Sequence, residues 1–235
     1  MRITNAVLRL ITVLTCAFVL VGCETAPPTI QTGPDAELSF DGLHLVDNSR
    51  ADLAWARPDF NLASYTKIWP VGAGVEYRQV KNRGSSTMAN SRGGPYFIND
   101  KARAQFEELV GEIFKEELQK VEQYELVDGP GPGVLMIRGA LLDVTSMVPP
   151  EPVGSRSIVF LSNIADATLV LELRDSETGT ILARSVDRRA AETIGGTFRR
   201  SNSVSNSAEV RRLIRFWATR LREGLDGFAQ ETASN

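Results

Sequence analysis

The sequence predicts an α+β fold, in which two amphipathic helices pack on a largely antiparallel sheet of four or more strands. Three observations carry this. Two long stretches, about 99–121 and 206–228, place apolar residues on one face at helical spacing. At least four shorter stretches alternate with a period of two or are apolar throughout. Between the helices, Asp175-Ser176-Glu177-Thr178-Gly179 supplies hairpin residues.

In chain order, the first element is not part of the domain. Arg2 and Arg9 precede an almost unbroken apolar run from Leu10 to Val21. A charged segment followed by a short apolar one is the layout of a secretory signal peptide. A spanning helix needs about 20 apolar residues, more than this run offers. Its end, Leu20-Val21-Gly22-Cys23, resembles the lipobox of bacterial lipoproteins. That resemblance implies cleavage before Cys23, lipid on its sulfur and attachment to a membrane. The following residue, Glu24, implies by the same likeness the outer membrane, periplasmic face, with the inner membrane as the alternative.

Residues 1–22 therefore read as a signal peptide. Residues 23–39, rich in Thr, Pro, Gln, Gly and acid, read as a lipid-anchored flexible linker. One α+β domain is expected over 40–230 and a disordered tail over 231–235. From 40 to 58 the pairs Leu43 and Leu45, then Leu53 and Trp55, show no period, and no element is assigned.

Residues 65–77 alternate through Trp69, Val71, Ala73, Val75 and Tyr77, which predicts a half-buried strand; Pro70 places it at an edge or at a strand start. Residues 81–95 are a polar, glycine-rich loop. The first helix starts at Asn99 or Asp100 as cap and runs to about Val121, with Phe106, Leu109, Val110, Ile113 and Phe114 on one face. Glu117 falls within that face, where local pairing competes with a raised-pKa carboxylate.

A short strand is expected at 124–128, then a rigid Gly-Pro turn. The prolines remove two amide donors that a phosphate cradle would need. Residues 134–145 are apolar on both faces, which predicts a central strand. After a proline-rich turn at 149–152, strands at 165–174 and 180–191 flank the hairpin residues. A Ser-, Asn- and Gly-rich loop at 193–206 leads to the last helix, with Asn206 or Ser207 as cap. Val210, Leu213, Ile214, Trp217, Leu221, Leu225 and Phe228 form its apolar stripe.

Several motifs resemble a group of uncharacterised Gram-negative lipoproteins, the domain of unknown function 3313. They are Asp41-Gly42-Leu43 with Asn48-Ser49-Arg50, Ala56-Arg57-Pro58, and Leu62-Ala63-Ser64-Tyr65-Thr66-Lys67. Further along come Tyr124-Glu125-Leu126-Val127-Asp128, Gly131-Pro132-Gly133-Val134-Leu135, Leu171-Glu172-Leu173-Arg174-Asp175 and Asn202-Ser203-Val204-Ser205-Asn206. They extend over most of 40–228. The resemblance implies a periplasm-facing lipoprotein of unassigned activity and transfers no catalytic residue.

Composition removes several chemistries. The only cysteines are Cys16, within the signal, and Cys23, consumed by lipid. The mature chain then has no thiol for disulfides, thiolate metal sites or nucleophilic catalysis. His44 is the single histidine, and a catalytic triad or zinc site would have to be built on it alone. Losing residues 1–22 removes two arginines and no acid, taking the formal charge from −3 to −5. A mildly acidic domain argues against nucleic acid as a partner.

No catalytic residue, metal site or cofactor is assigned. The most pointed surface feature is basic. Arg211, Arg215 and Arg222 fall within about 40° of one another on the last helix, with Arg212 beside them. This face is a candidate surface for an anionic partner, whether an envelope protein, lipid or glycan. A solvated helix face with Glu209 and Glu223 nearby is the plainer reading.

The function expected is a membrane-anchored envelope lipoprotein, a non-enzymatic binding or accessory protein. A structural subunit of an envelope complex and a carboxylate-dependent hydrolase are the alternatives.

Overall fold

The computed structural model describes residues 26–80, 94–149 and 158–233, with side chains described as far as residue 228. The signal segment and Cys23, most of the 81–95 loop and most of the proline-rich turn lie outside these residues.

Among the described residues, ten strands and two long helices follow in order. They are β1 (Thr29–Ile30), β2 (His44–Asp47), β3 (Leu53–Ala56), β4 (Lys67–Tyr77), α1 (Asp100–Leu118), β5 (Glu125–Leu126) and β6 (Val134–Ser146). Then come β7 (Phe160–Leu161), β8 (Asn163–Asp175), β9 (Ile181–Glu192), a 3-10 turn at Ile194–Gly196, β10 (Arg199–Arg200) and α2 (Ser203–Ala233). Among the described residues, eight strands form one sheet in the order β1-β2-β3-β9-β8-β6-β4-β5, and β10 pairs with β7 in a separate ribbon.

The sheet is mostly antiparallel, as the alternating segments and the hairpin imply. The exception is β4, which runs parallel to both β6 and β5. Parallel neighbours need a crossover, usually a helix, and α1 lies between β4 and β5 in the chain. β6 is central, as its two apolar faces predict, pairing with β4 on one side and β8 on the other. β5 covers only Lys67 and Ile68 of β4, so Pro70 sits where β4 has β6 as its only paired neighbour. A proline there costs no ladder hydrogen bond on the open side.

The hairpin between β8 and β9 is closed by its own side chains. Asp175 Oδ1 accepts from the Thr178 amide and hydroxyl, each at 2.8 Å. Gly179 takes a left-handed conformation at φ 71°, which a residue with a Cβ adopts only under strain.

Helix α1 starts where the capping residue predicts, with Asn99 Oδ1 accepting from the Ala102 amide at 2.9 Å. Ile113 of α1 and Leu213, Ile214, Trp217 and Ala218 of α2 share one buried cluster with Leu141, Val144, Ala167 and Leu169 from the strands. A second cluster, around Leu62, Ile68, Leu118, Leu135, Ile137 and Leu225, occupies the other part of the core. Ile68, Ile113, Leu135, Ile214 and Leu225 are fully buried, and each such side chain contributes about 1.5–3 kcal/mol.

Three boundaries differ from the sequence reading. α2 begins at Ser203, earlier than Asn206 or Ser207, because the cap is Asn202, whose Oδ1 accepts from the Ser205 amide at 2.9 Å. Its backbone stays helical to Ala233, three residues into the expected tail. The expected linker also contributes to the sheet: Thr29 pairs with Asp47 and Ile30 with Val46. Gln31 fixes that edge, donating its side-chain amide to Asp47 at 2.8 Å and its backbone amide to Leu45.

Candidate functional site

The arginine face of α2 is largely engaged by carboxylates. Arg212 pairs with Glu209 one turn back and donates to the Glu192 carbonyl at the end of β9. Arg215 reaches Glu116 of α1 at 3.3 Å. Arg222 is not on an outward face: it is half-buried, 3.4 Å from Glu117 of α1 and 3.2 Å from Asp226 on its own helix. Arg211 is exposed and has no ion pair among the described residues. The four residues therefore divide into helix-to-helix ties at Arg215 and Arg222, a tie to β9 at Arg212, and one free guanidinium.

Glu117 is 5% exposed and is locally paired. Lys120 donates to it at 2.6 Å and Arg222 approaches from α2. The Lys120 hydrogen bond, aided by Arg222, holds its carboxyl below the ordinary glutamate value despite burial. A carboxylate held ionised in this way is a structural anion.

A second charged group ties the N-terminal segment to the sheet. Arg184 of β9 donates to Asp41 at 2.6 Å and to Glu172 of β8 at 2.9 Å, and Arg174 closes on Glu172 at 2.7 Å. Glu172 and Arg184 stand directly opposite each other in the β8–β9 register. Burial acts to raise the Glu172 pKa, but hydrogen bonds from Arg174 and Arg184 outweigh it and leave it lowered. Arg184 also lies over the ring of Phe40, 5.0 Å from its centre.

His44 lies on β2, and its Nδ1 is 2.8 Å from the Gln31 carbonyl. That contact ties the residue following β1 to β2.

The β7–β10 ribbon was not anticipated from the sequence. Phe160 stands opposite Arg200 and Leu161 opposite Arg199, and the Ser201 amide donates to the Val159 carbonyl at 2.7 Å. Alternation along paired strands then puts Ile158, Phe160, Phe198 and Arg200 on one face. Leu161, on the other face, packs against the core. The outer face is open, with Ile158 58%, Phe160 57% and Phe198 75% exposed.

Two neighbours extend the apolar surface. Ile194 follows Thr193, whose amide donates to Ser162, and Val204 stands in the first turn of α2; they are 62% and 80% exposed. Arg199 and Arg200 carry no ion pair among the described residues, and both line a cavity of about 240 Å³ between the ribbon and the start of α2. A lone Phe198 in a Ser- and Gly-rich loop, and the run Ile158-Val159-Phe160-Leu161, were the available signals.

Among the described residues, no group of three or more metal-ligating side chains is found, and no helix is long and apolar enough to cross a membrane.

Solved structures with a similar chain trace share little sequence. A Xanthomonas campestris protein of the DUF330 family model is 10% identical, with a TM-score of 0.40, covering 77% of this chain and 94% of its own. A PelC dodecamer from Paraburkholderia phytofirmans is 12% identical, with a TM-score of 0.33, over 72% and 94%. A putative neuraminyllactose-binding hemagglutinin homolog from Helicobacter pylori is 8% identical, with a TM-score of 0.34, over 72% and 91%. No curated protein matches the chain. The family model described as "Protein of unknown function (DUF3313)" matches residues 39–221, and the chain belongs to that family.

Proposed function

We propose that this chain is a lipoprotein of the bacterial cell envelope, anchored through lipid on Cys23, with its domain facing the periplasm at the outer membrane. It acts there as a non-enzymatic binding or accessory protein. The observation that carries the reading is the order of Arg2 and Arg9, the apolar run to Val21, and Gly22-Cys23 at its end. Several acyl chains on one residue hold a protein on a bilayer, where a single chain is marginal.

Five carboxylates are unsuited to the acid role that a carboxylate-dependent hydrolase requires. A general acid at neutral pH needs a raised pKa. Asp41, Glu117, Asp143, Glu172 and Asp175 are all shifted downward. Arginine, lysine or turn donors hold each of them ionised.

The test is metabolic labelling with a radioactive fatty acid followed by membrane fractionation. The wild-type chain takes up label and sediments with membranes; Cys23→Ser takes up none and its mature-size form is lost. Equal labelling and equal membrane association of the two would overturn the anchor.

A further inference from the structure

We infer that the outer face of the β7–β10 ribbon, with Ile194 and Val204 beside it, is a second membrane contact that seats the domain on an anionic bilayer. The inference rests on the lipid-anchor reading and adds an orientation to it. Its first support is the direction of the tether. Thr29 stands opposite Asp47, the β2–β3 register carries that level to Leu53, and Leu53 stands opposite Val186 of β9. β1 is antiparallel to β2, β2 to β3 and β3 to β9. At β1 the chain, followed backward from Ile30 to Thr29, therefore heads the way β9 runs from Val186 to Glu192. Twist of about 20–25° per strand accumulates to about 60–75° over this three-strand offset, which leaves a component of the heading toward that end.

The second support is reach. An extended chain covers about 3.3–3.6 Å per residue, so Cys23 lies within about 20 Å of Thr29. The six residues of β9 beyond Val186 rise by about 20 Å. The tether is therefore long enough to carry a lipid on Cys23 toward the level where β9 ends. The 3-10 turn, β10 and the start of α2 follow there in the chain, and β7 leads into β8 at the same end. A linker free from 23 to 39 would have left the domain without a preferred face; β1 removes that freedom.

The third support is chemistry. Exposed Phe160, Phe198, Ile158, Ile194 and Val204 supply the apolar surface that sinks into the acyl boundary. Arg200, on that face and without a carboxylate partner among the described residues, supplies a cation beside it for anionic headgroups, while Arg199 stands on the opposite face of the ribbon at the same end. The domain as a whole is acidic, so basic residues next to exposed apolar ones at this end mark a local surface and not a general attraction.

The mature chain has no cysteine other than the lipidated one, which makes the test clean. Thr197→Cys and Ser203→Cys, two independent reporters at this end, and Glu177→Cys, in the hairpin at the other end of β9, would each carry a nitroxide in the full lipidated protein. The proteins are reconstituted in vesicles of phosphatidylethanolamine and phosphatidylglycerol. Collision with oxygen, relative to a water-soluble relaxant, is expected to be several-fold higher at 197 and 203 than at 177. Equal, water-like values at all three sites in lipidated protein would overturn the inference and leave the anchor standing. Spin–spin broadening at 197 would also overturn it, because a second copy would then cover the ribbon. Purified protein without lipid on Cys23 would overturn the anchor reading, and this inference with it.

Discussion

Trp217 of α2 donates its indole N–H to Oδ2 of Asp187 on β9 at 2.6 Å, with both residues buried. Arg189 of the same strand closes on that carboxylate, also at 2.6 Å, and its guanidinium lies over the Phe216 ring at 4.4 Å. One carboxylate therefore joins helix to sheet, and its charge is balanced by a neighbour on its own strand. Trp217→Phe is expected to lower stability by about 2 kcal/mol, the range for losing a hydrogen bond to a charged group. Asp187→Ala should cost more, because it orphans the buried indole N–H and leaves Arg189 without its partner. Urea unfolding of both variants, followed by circular dichroism, measures the two losses and their order.

Arg184 makes a comparable tie at the other face of the hairpin. Its side chain is 11% exposed and that of Glu172 14%. Arg184→Ala is expected to cost about 2–3 kcal/mol, below the full penalty for breaking a buried pair because Arg174 still neutralises Glu172. It also releases Asp41, so amide exchange should quicken around residues 39–45 while the β6–β8 ladder stays protected. Hydrogen exchange read by mass spectrometry separates that local loosening from global unfolding.

The lowered carboxylates set the acid limit of stability. For Glu117 the Lys120 hydrogen bond is the largest cause; for Glu172 burial is the largest influence and opposes the arginine hydrogen bonds that prevail. Each folded-state pKa lies below its unfolded value. The linked stability is then fully present above the unfolded glutamate value of about 4.3 and is lost as pH falls through the folded one. Stability should fall steeply below about pH 4.3, and less steeply in Glu117→Gln, whose residue 117 no longer titrates. The urea midpoint measured across that range, wild type against variant, checks it.

What could be read from the chain alone follows from how local each signal is. α1 was legible because Asn99 and the spacing of Phe106, Leu109, Val110 and Ile113 are contained in the element itself. The hairpin was legible for the same reason, since Asp175, Thr178 and Gly179 bond to one another. β2 and β3 were not: at four residues each they show no period, and β3 is held by its pairing with β9, more than a hundred residues away. β1 was read as spacer because its two residues have nothing in sequence to mark them; the edge offered by β2 makes them a strand. The start of α2 was misplaced because Asn202 and Asn206 are both good caps. The fold settles it, burying Asn206, whose side chain donates to the Ser201 hydroxyl at 2.8 Å. The arginine face looked free because helical spacing shows which side chains share a side of α2, and says nothing of Glu116 and Glu117 arriving on α1.

The central claim, attachment through Cys23, is tested most directly by the mass of the N-terminal peptide of protein purified from membranes of a lipoprotein-processing bacterium. The account predicts a peptide that begins at Cys23, lacks residues 1–22 and carries a diacylglyceryl group on sulfur with a further acyl chain on its amino group. A mature protein that begins elsewhere, or begins at Cys23 with an unmodified thiol, would contradict it.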